Sequence, residues 1–261
     1  MHVVTERATR VEAAQQFWRL PGRKLERLLA STRMADRIEL KLVVPPAAHQ
    51  ATCTSLGVDF TDASTRRVYF LDTDDLRLEQ RGVVARIRSI DNRCDDSVVK
   101  LRPFVPGKKL TNRLRRSKRF GVEVDAMPGR FVCTGAIGRR LGEQSVAKTV
   151  RNGLPLRRLF SAEQLALLPA GVSIDDLGTF GPVDVRRKKI LPQGADFRLA
   201  VERWTYPDGS SILELSTRCA ARSAVPVAAQ LASVLRAYEI DLTGRQQTKT
   251  RATLSYFRCA R

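Results

Sequence analysis

The sequence predicts an α+β domain whose strands gather around a charged axis, preceded by a helical extension. Three observations carry that expectation. From Arg37 onward, short runs alternate apolar and charged residues with a period of two, as strands with two unlike faces do. Residues 1 to 35, about 131 to 180 and 225 to 238 instead return apolar side chains every three or four positions, the helical period. The charged face of each strand run also tends to repeat one kind of charge rather than a random polar mixture.

The elements follow in order. VEAAQQFWRL and RKLERLLAST, parted by Pro21-Gly22, make residues 1–35 an N-terminal helical extension. RIELKLVV opens the strands at Arg37, with Ile38, Leu40 and Leu42 on one face and Arg37, Glu39 and Lys41 on the other. RRVYFLDT, VVARIRSI, SVVKLRPF and FGVEVDAM come next, separated by the turn-prone pairs Asp91-Asn92, Pro106-Gly107 and Pro128-Gly129. The stretch from about 131 to 180 reads as helical, and Ser161-Ala-Glu-Gln164 ahead of LALL has the form of a capping box. Gly135-Ala-Ile-Gly138 falls in that stretch and lacks the spacing of a dinucleotide fingerprint. PVDVRRKKIL, DFRLAVERWTY and SSILELST restore the strand pattern, with Pro207-Asp208-Gly209 as a hairpin turn, and VPVAAQLASVLRAY is an amphipathic helix with Pro226 in its first turn. With no repeat and no low-complexity linker, residues 36–261 read as one domain.

Composition narrows the chemistry. Lys and Arg number 46 against 27 Asp and Glu, a formal charge of +19, so a polyanionic partner is expected. With His2 and His49 as the only histidines, a histidine-rich metal site and a Ser-His-Asp triad are close to excluded. Any metal must then be held by carboxylates, which favours magnesium or manganese. No phosphate-binding G-x-x-x-x-G-K-[ST] loop occurs. The five cysteines are widely separated and read as reduced thiols; with no apolar leader or membrane-length apolar run, a cytoplasmic protein without a membrane partner is expected.

The strand faces supply the site. They carry Arg37, Glu39 and Lys41; Arg86 and Arg88; Lys100 and Arg102; Glu123 and Asp125; Arg187; Glu202; and Glu214 with Ser216. Guanidinium and ammonium groups on several strands can neutralise a phosphate chain, and carboxylates on neighbouring strands can hold a metal that bridges its oxygens. A closed barrel aims alternate residues of many strands at one axis.

These residues resemble the CYTH domain of the triphosphate tunnel metalloenzymes. The likeness rests on RIELKL against the family's E-x-E-x-K opening, on YFLDTDDLRLEQRGVVARIR for its Tyr, Asp-Thr, Gly and Arg-x-Arg run, and on VVKLR. VEVD, RRK, ILELS and QQTKTR agree more loosely. The resemblance implies an eight-stranded antiparallel tunnel with flanking helices, binding a triphosphate- or polyphosphate-bearing small molecule with Mg2+ or Mn2+. Carried over by position, Lys41, Arg86, Arg88 and Lys100 become the phosphate-holding cations of the catalytic set, joined in substrate binding by Arg37, Arg102, Arg187 and Lys249. Glu39, Glu123, Asp125 and Glu214 become the metal-side carboxylates.

Two departures matter. Arg37 stands where the family's opening has its first glutamate, and Ser216 where the late strand has its second acid. Both changes weaken cation binding, and Arg37 strengthens phosphate binding. Three outcomes stay open: metal-dependent phosphoanhydride hydrolysis of the inorganic triphosphatase kind, a polyphosphate polymerase-like enzyme, or a non-catalytic module for polyphosphate, nucleotide or RNA. Lys108-Lys109 and residues 113 to 119 are either a nucleic-acid clamp or solvated loops; aromatic residues, 6% overall, are not interleaved with them as stacking would require. Tyr69, Asp72, Trp18 and Trp204 are expected to be structural.

Overall fold

The computed structural model describes residues 35–105, 112, 114–241 and 246–259. The expected helical extension, Ala35 apart, and the Lys108-Lys109 pair lie outside them.

Alternation in RIELKLVV makes Arg37–Val44 the first strand, β1, with Ile38, Leu40 and Leu42 fully buried. The later strands are β2 (Ser64–Asp72), β3 (Val83–Ile90), β4 (Asp96–Leu101), β5 (Phe120–Met127), β6 (Arg130–Arg140), β7 (Gly178–Ile190), β8 (Leu199–Thr205) and β9 (Ser211–Cys219). They close into one barrel in the order β1-β5-β6-β4-β3-β2-β7-β8-β9.

Two features correct the expectation of eight antiparallel strands. Among the described residues the barrel has nine strands. It is also mixed, because β1 runs parallel to β5, with Arg37 opposite Glu123 and Glu39 opposite Asp125, while every other pair is antiparallel. The additional strand is β6, in the stretch whose pattern suggested a helix. Its inward positions run Val132, Thr134, Ala136, Gly138 and Arg140, and the central glycine and alanine carry little strand propensity. Outward, Gly135 admits the rings of Phe104 and Phe120: a Cβ there would lie 3.1 Å from each.

Helices cover the outside. They are α1 (His49–Ser55), α2 (Arg77–Gln80), α3 (Ser145–Arg151), α4 (Ala162–Leu165), α5 (Ala224–Ala237) and α6 (Lys249–Cys259). The capping box forms as expected, Ser161 Oγ accepting from Gln164 N and Gln164 Oε1 from Ser161 N, although α4 is only four residues long. Along α5, Ala228, Leu231, Ala232 and Leu235 pack on the outer side chains of β1, β8 and β9, among them Leu40, Val201 and Leu213. Each large apolar side chain buried this way contributes about 1.5–3 kcal/mol. Val146, Leu159, Phe160 and Ile174 cover the outer face of β2, β3 and β4 in the same manner. With the apolar faces turned outward under helices, the alternate residues are left to line the bore.

One end of the bore is partly filled. Val68, Phe70, Phe180, Val183 and Trp204 form an apolar cluster there with Leu254 of α6. The helix is pinned by Tyr206, whose ring lies 4.6 Å from that of Tyr256 and whose hydroxyl is 3.1 Å from Thr253 Oγ1. Trp204 is a packing residue, as expected, stacked 6.4 Å from Phe70. At the other end Arg37 and Arg218 stand half-exposed. Asp72 is structural too: buried, it accepts hydrogen bonds from the backbone N–H groups of Thr73, Leu78 and Glu79 and so ties β2 to α2.

Candidate anion-binding tunnel

The strand order divides the bore into two arcs. Consecutive neighbours β4, β3 and β2 present Lys100, Arg86, Arg88 and Arg66. Consecutive neighbours β8, β9, β1 and β5 present Glu202, Glu214, Glu39, Asp125 and Glu123. With small-residue β6 on one side and Arg187 of β7 on the other, cations face carboxylates across the channel.

The carboxylates are engaged. Glu39 and Asp125 sit directly opposite each other on β1 and β5, and Lys41 Nζ lies 2.9 Å from Glu39 Oε2 and 2.9 Å from Asp125 Oδ1, close enough for an ion pair although Asp125 Oδ1 accepts no hydrogen bond. Arg102, just past β4, holds the other Asp125 oxygen and donates from Nε to Thr134 Oγ1 at 3.1 Å. Gly82 (φ +69) makes that position reachable, since a Cβ there would lie 2.7 Å from the Arg102 carbonyl oxygen. Arg218 Nε approaches Glu39 at 3.2 Å and Glu123 at 3.8 Å, and Arg37 is 3.8 Å from Glu123. Burial alone would push the Glu39 carboxyl up; Lys41 and Arg218 overcome this and hold it well below the ordinary range.

A second pair repeats the arrangement. Glu202 and Glu214 face each other on β8 and β9, and Lys249 Nζ, from the first turn of α6, lies 2.6 Å from an oxygen of each. Arg187 and Trp204 also donate to Glu202, at 2.9 and 3.1 Å. Burial opposes ionisation of Glu202, but Lys249 and then Trp204 and Arg187 keep its carboxyl well below the usual range.

The cationic arc is not engaged in the same way. Asp96 takes both Nε and Nη2 of Arg88 on its Oδ2. Arg86 comes only to 3.9 Å from the same carboxylate, and its buried Nε has no hydrogen-bond partner. Arg66 Nε and Ser64 Oγ are likewise buried without a partner. Lys100 makes no ion pair or hydrogen bond among the described residues. Burial, reinforced by Arg86 and Arg102, pushes the Lys100 ammonium well below its usual range, and burial with Arg88 nearby brings Arg86 and Arg66 down to about 10.

Every site residue expected from the sequence therefore lines or borders this bore. Arg37 is at the open mouth rather than deep inside, and Lys249 arrives on a helix from the partly filled end. Arg66, Asp96 and Arg218 were not among the expected residues, and Glu202 was noticed only as a strand-face acid. A period-two signal existed for Arg218, two beyond Ser216, and for Asp96, two before Val98. Arg115, from the basic run 113 to 119, pairs with Asp36 at 3.0 Å on the exterior.

This donor set is poorly matched to the expected magnesium or manganese. Glu39, Glu123, Asp125 and Glu214 each have a lysine or arginine within ion-pair reach, and an ammonium fills the bridging position of both opposed pairs. Among the described residues no three metal-ligating side chains gather into a cluster. The set as arranged does not fit a resident divalent cation.

A closed barrel with a charged bore is the tunnel fold that the sequence's resemblance to the CYTH domain implies. Two solved structures bear this out, both putative adenylate cyclases. One, from Bacillus halodurans, has a TM-score of 0.56 at 16% identity and covers 83% of this chain and 97% of its own. The other, from Hippeastrum and described as having a dominant triphosphatase activity, has a TM-score of 0.55 at 16% identity, covering 85% and 95%. No family model and no curated protein matches the chain.

Proposed function

We propose that the tunnel binds a triphosphate- or polyphosphate-bearing anion. One observation carries this reading: Arg66, Arg86 and Lys100, on three neighbouring strands, turn buried and incompletely paired donors toward one channel. Leaving such donors unmet costs about 1–3 kcal/mol each, which a chain of phosphate oxygens recovers by accepting from them.

A second reading, hydrolysis of a phosphoanhydride, is favoured by the triphosphatase activity described for the Hippeastrum neighbour. No helix among the described residues is long and apolar enough to cross a membrane.

Calorimetric titration with tripolyphosphate, thiamine triphosphate, ATP and long-chain polyphosphate, followed by phosphate-release assays, tests both readings. Binding that falls at least about tenfold in Arg86→Ala supports the tunnel. RNA binding with a steep salt dependence, unchanged in Arg86→Ala and without any tripolyphosphate binding, would place the operative charge on the exterior and overturn it.

A further inference from the structure

We propose that the tunnel takes its phosphate chain as the free anion, with Lys249 and Lys41 occupying the positions that bridging divalent cations would need. The inference rests on the anion-binding reading above and specifies the form of the ligand.

Two in-register carboxylate pairs make the case. Glu202 faces Glu214 across β8 and β9, and Glu39 faces Asp125 across β1 and β5. Side chains directly opposite on antiparallel neighbours, as Glu202 and Glu214 are, have Cβ atoms roughly 4.5–5.5 Å apart. Two bare carboxylates about 4 Å apart repel by about 4 kcal/mol at the effective dielectric near a protein surface. Such a pair therefore demands a cation between its members. In both pairs that cation belongs to the chain: Lys249 Nζ at 2.6 Å from each glutamate, and Lys41 Nζ at 2.9 Å from Glu39 and Asp125.

A tethered ammonium has two advantages over a dissolved ion. Its effective concentration is fixed by the fold, and it needs no stripping of a tightly held hydration shell for each binding event. Lys249 is further held by Trp204, whose ring centroid lies 4.7 Å below Nζ, while the apolar side of α6 is buried through Leu254. A divalent ion could enter only by displacing an ammonium that is itself largely buried. The inward positions next to these pairs, Arg37 on β1 and Ser216 on β9, add no carboxylate to the acidic arc.

The test titrates tripolyphosphate into the protein in EDTA and again in excess magnesium or manganese. Affinity in EDTA equal to or tighter than that with metal is expected, because solution metal competes for the phosphates. Binding that requires metal, or strengthens about tenfold or more with it, overturns the inference while leaving the anion-binding reading intact. Absence of binding under all conditions overturns that reading itself. Manganese alone gives an independent readout: it should not raise the melting temperature of the wild-type protein, and it should raise that of Lys249→Ala, where Glu202 and Glu214 become free to hold it. Lys41→Ala probes the other pair in case Lys249→Ala does not fold. Stabilisation of the wild type by manganese as large as that of the variants contradicts the assignment.

Discussion

Arg86 and Asp96 approach diagonally across β3 and β4 to 3.9 Å, yet Arg86 Nε and Asp96 Oδ1 are both buried without a hydrogen-bond partner. The reason is geometry. Arg88 already holds the other oxygen of Asp96 with two donors, so the carboxylate screens Arg86 without satisfying it. A guanidinium held rigidly and left short of acceptors is prepared for an incoming oxyanion.

Replacing Arg86 should therefore separate binding from stability. Arg86→Ala is expected to weaken tripolyphosphate binding by about tenfold to a hundredfold, the worth of one or two charge-assisted hydrogen bonds, with little loss of melting temperature. Arg88→Ala should lower the melting temperature, because it strips Asp96 of its partner. Calorimetry and thermal unfolding of the two variants decide the matter; equal losses of stability would contradict the distinction.

Lys100 should show the same separation more sharply. Its ammonium is buried with no ion pair among the described residues, so charging it opposes folding. Lys100→Met is expected to stabilise the protein by on the order of 1 kcal/mol while reducing anion affinity. An anion beside Lys100 favours its charged form, so tripolyphosphate binding should take up protons at alkaline pH. Titrations in buffers of different ionisation enthalpy would reveal that uptake, and its persistence in Lys100→Met would assign it elsewhere.

Acid should loosen the other arc. The carboxyls of Glu39 and Glu202 are depressed in the folded state, so the unfolded chain binds more protons as pH falls below the ordinary value of 4.5. Their contribution is complete above about that pH and is lost progressively below it. The urea midpoint should hold steady through neutral pH and decline once pH drops beneath about 4.5; a flat profile there would show the pairs contribute nothing net.

Asp72 is expected to matter for folding alone. Its three backbone donors lose their acceptor in Asp72→Ala, which should cost about 2–3 kcal/mol of stability by analogy with helix caps and buried hydrogen bonds. Affinity measured below the melting transition should stay near the wild-type value.

How much of this was legible in the sequence depends on the range of the interaction involved. Strand β1 and its two faces were plain, because in RIELKLVV hydropathy and charge alternate together. The hairpin at Pro207-Asp208-Gly209 and helix α5 were legible for the same local reasons, turn chemistry and period. Strand β6 was not, because Ala136 and Gly138, opposite Lys100 and Val98, carry little strand propensity and break the alternation. Nor was the parallel pairing of β1 with β5, which is a property of closure and leaves no mark in either segment. Within the site, spacing identified Lys41, Arg86, Arg88, Lys100, Glu123 and Asp125 as inward-facing, but not which cation meets which acid. That Lys249 reaches Glu202 and Glu214 depends on where α6 docks, and the docking is set by Tyr206, Leu254 and Tyr256 at the partly filled end.

A crystal structure of the protein with tripolyphosphate tests the central claim most directly. Phosphate density inside the barrel, within hydrogen-bonding distance of Arg66, Arg86 and Lys100, is the predicted result. Density confined to the outer surface, with those three side chains as they stand without ligand, would contradict it.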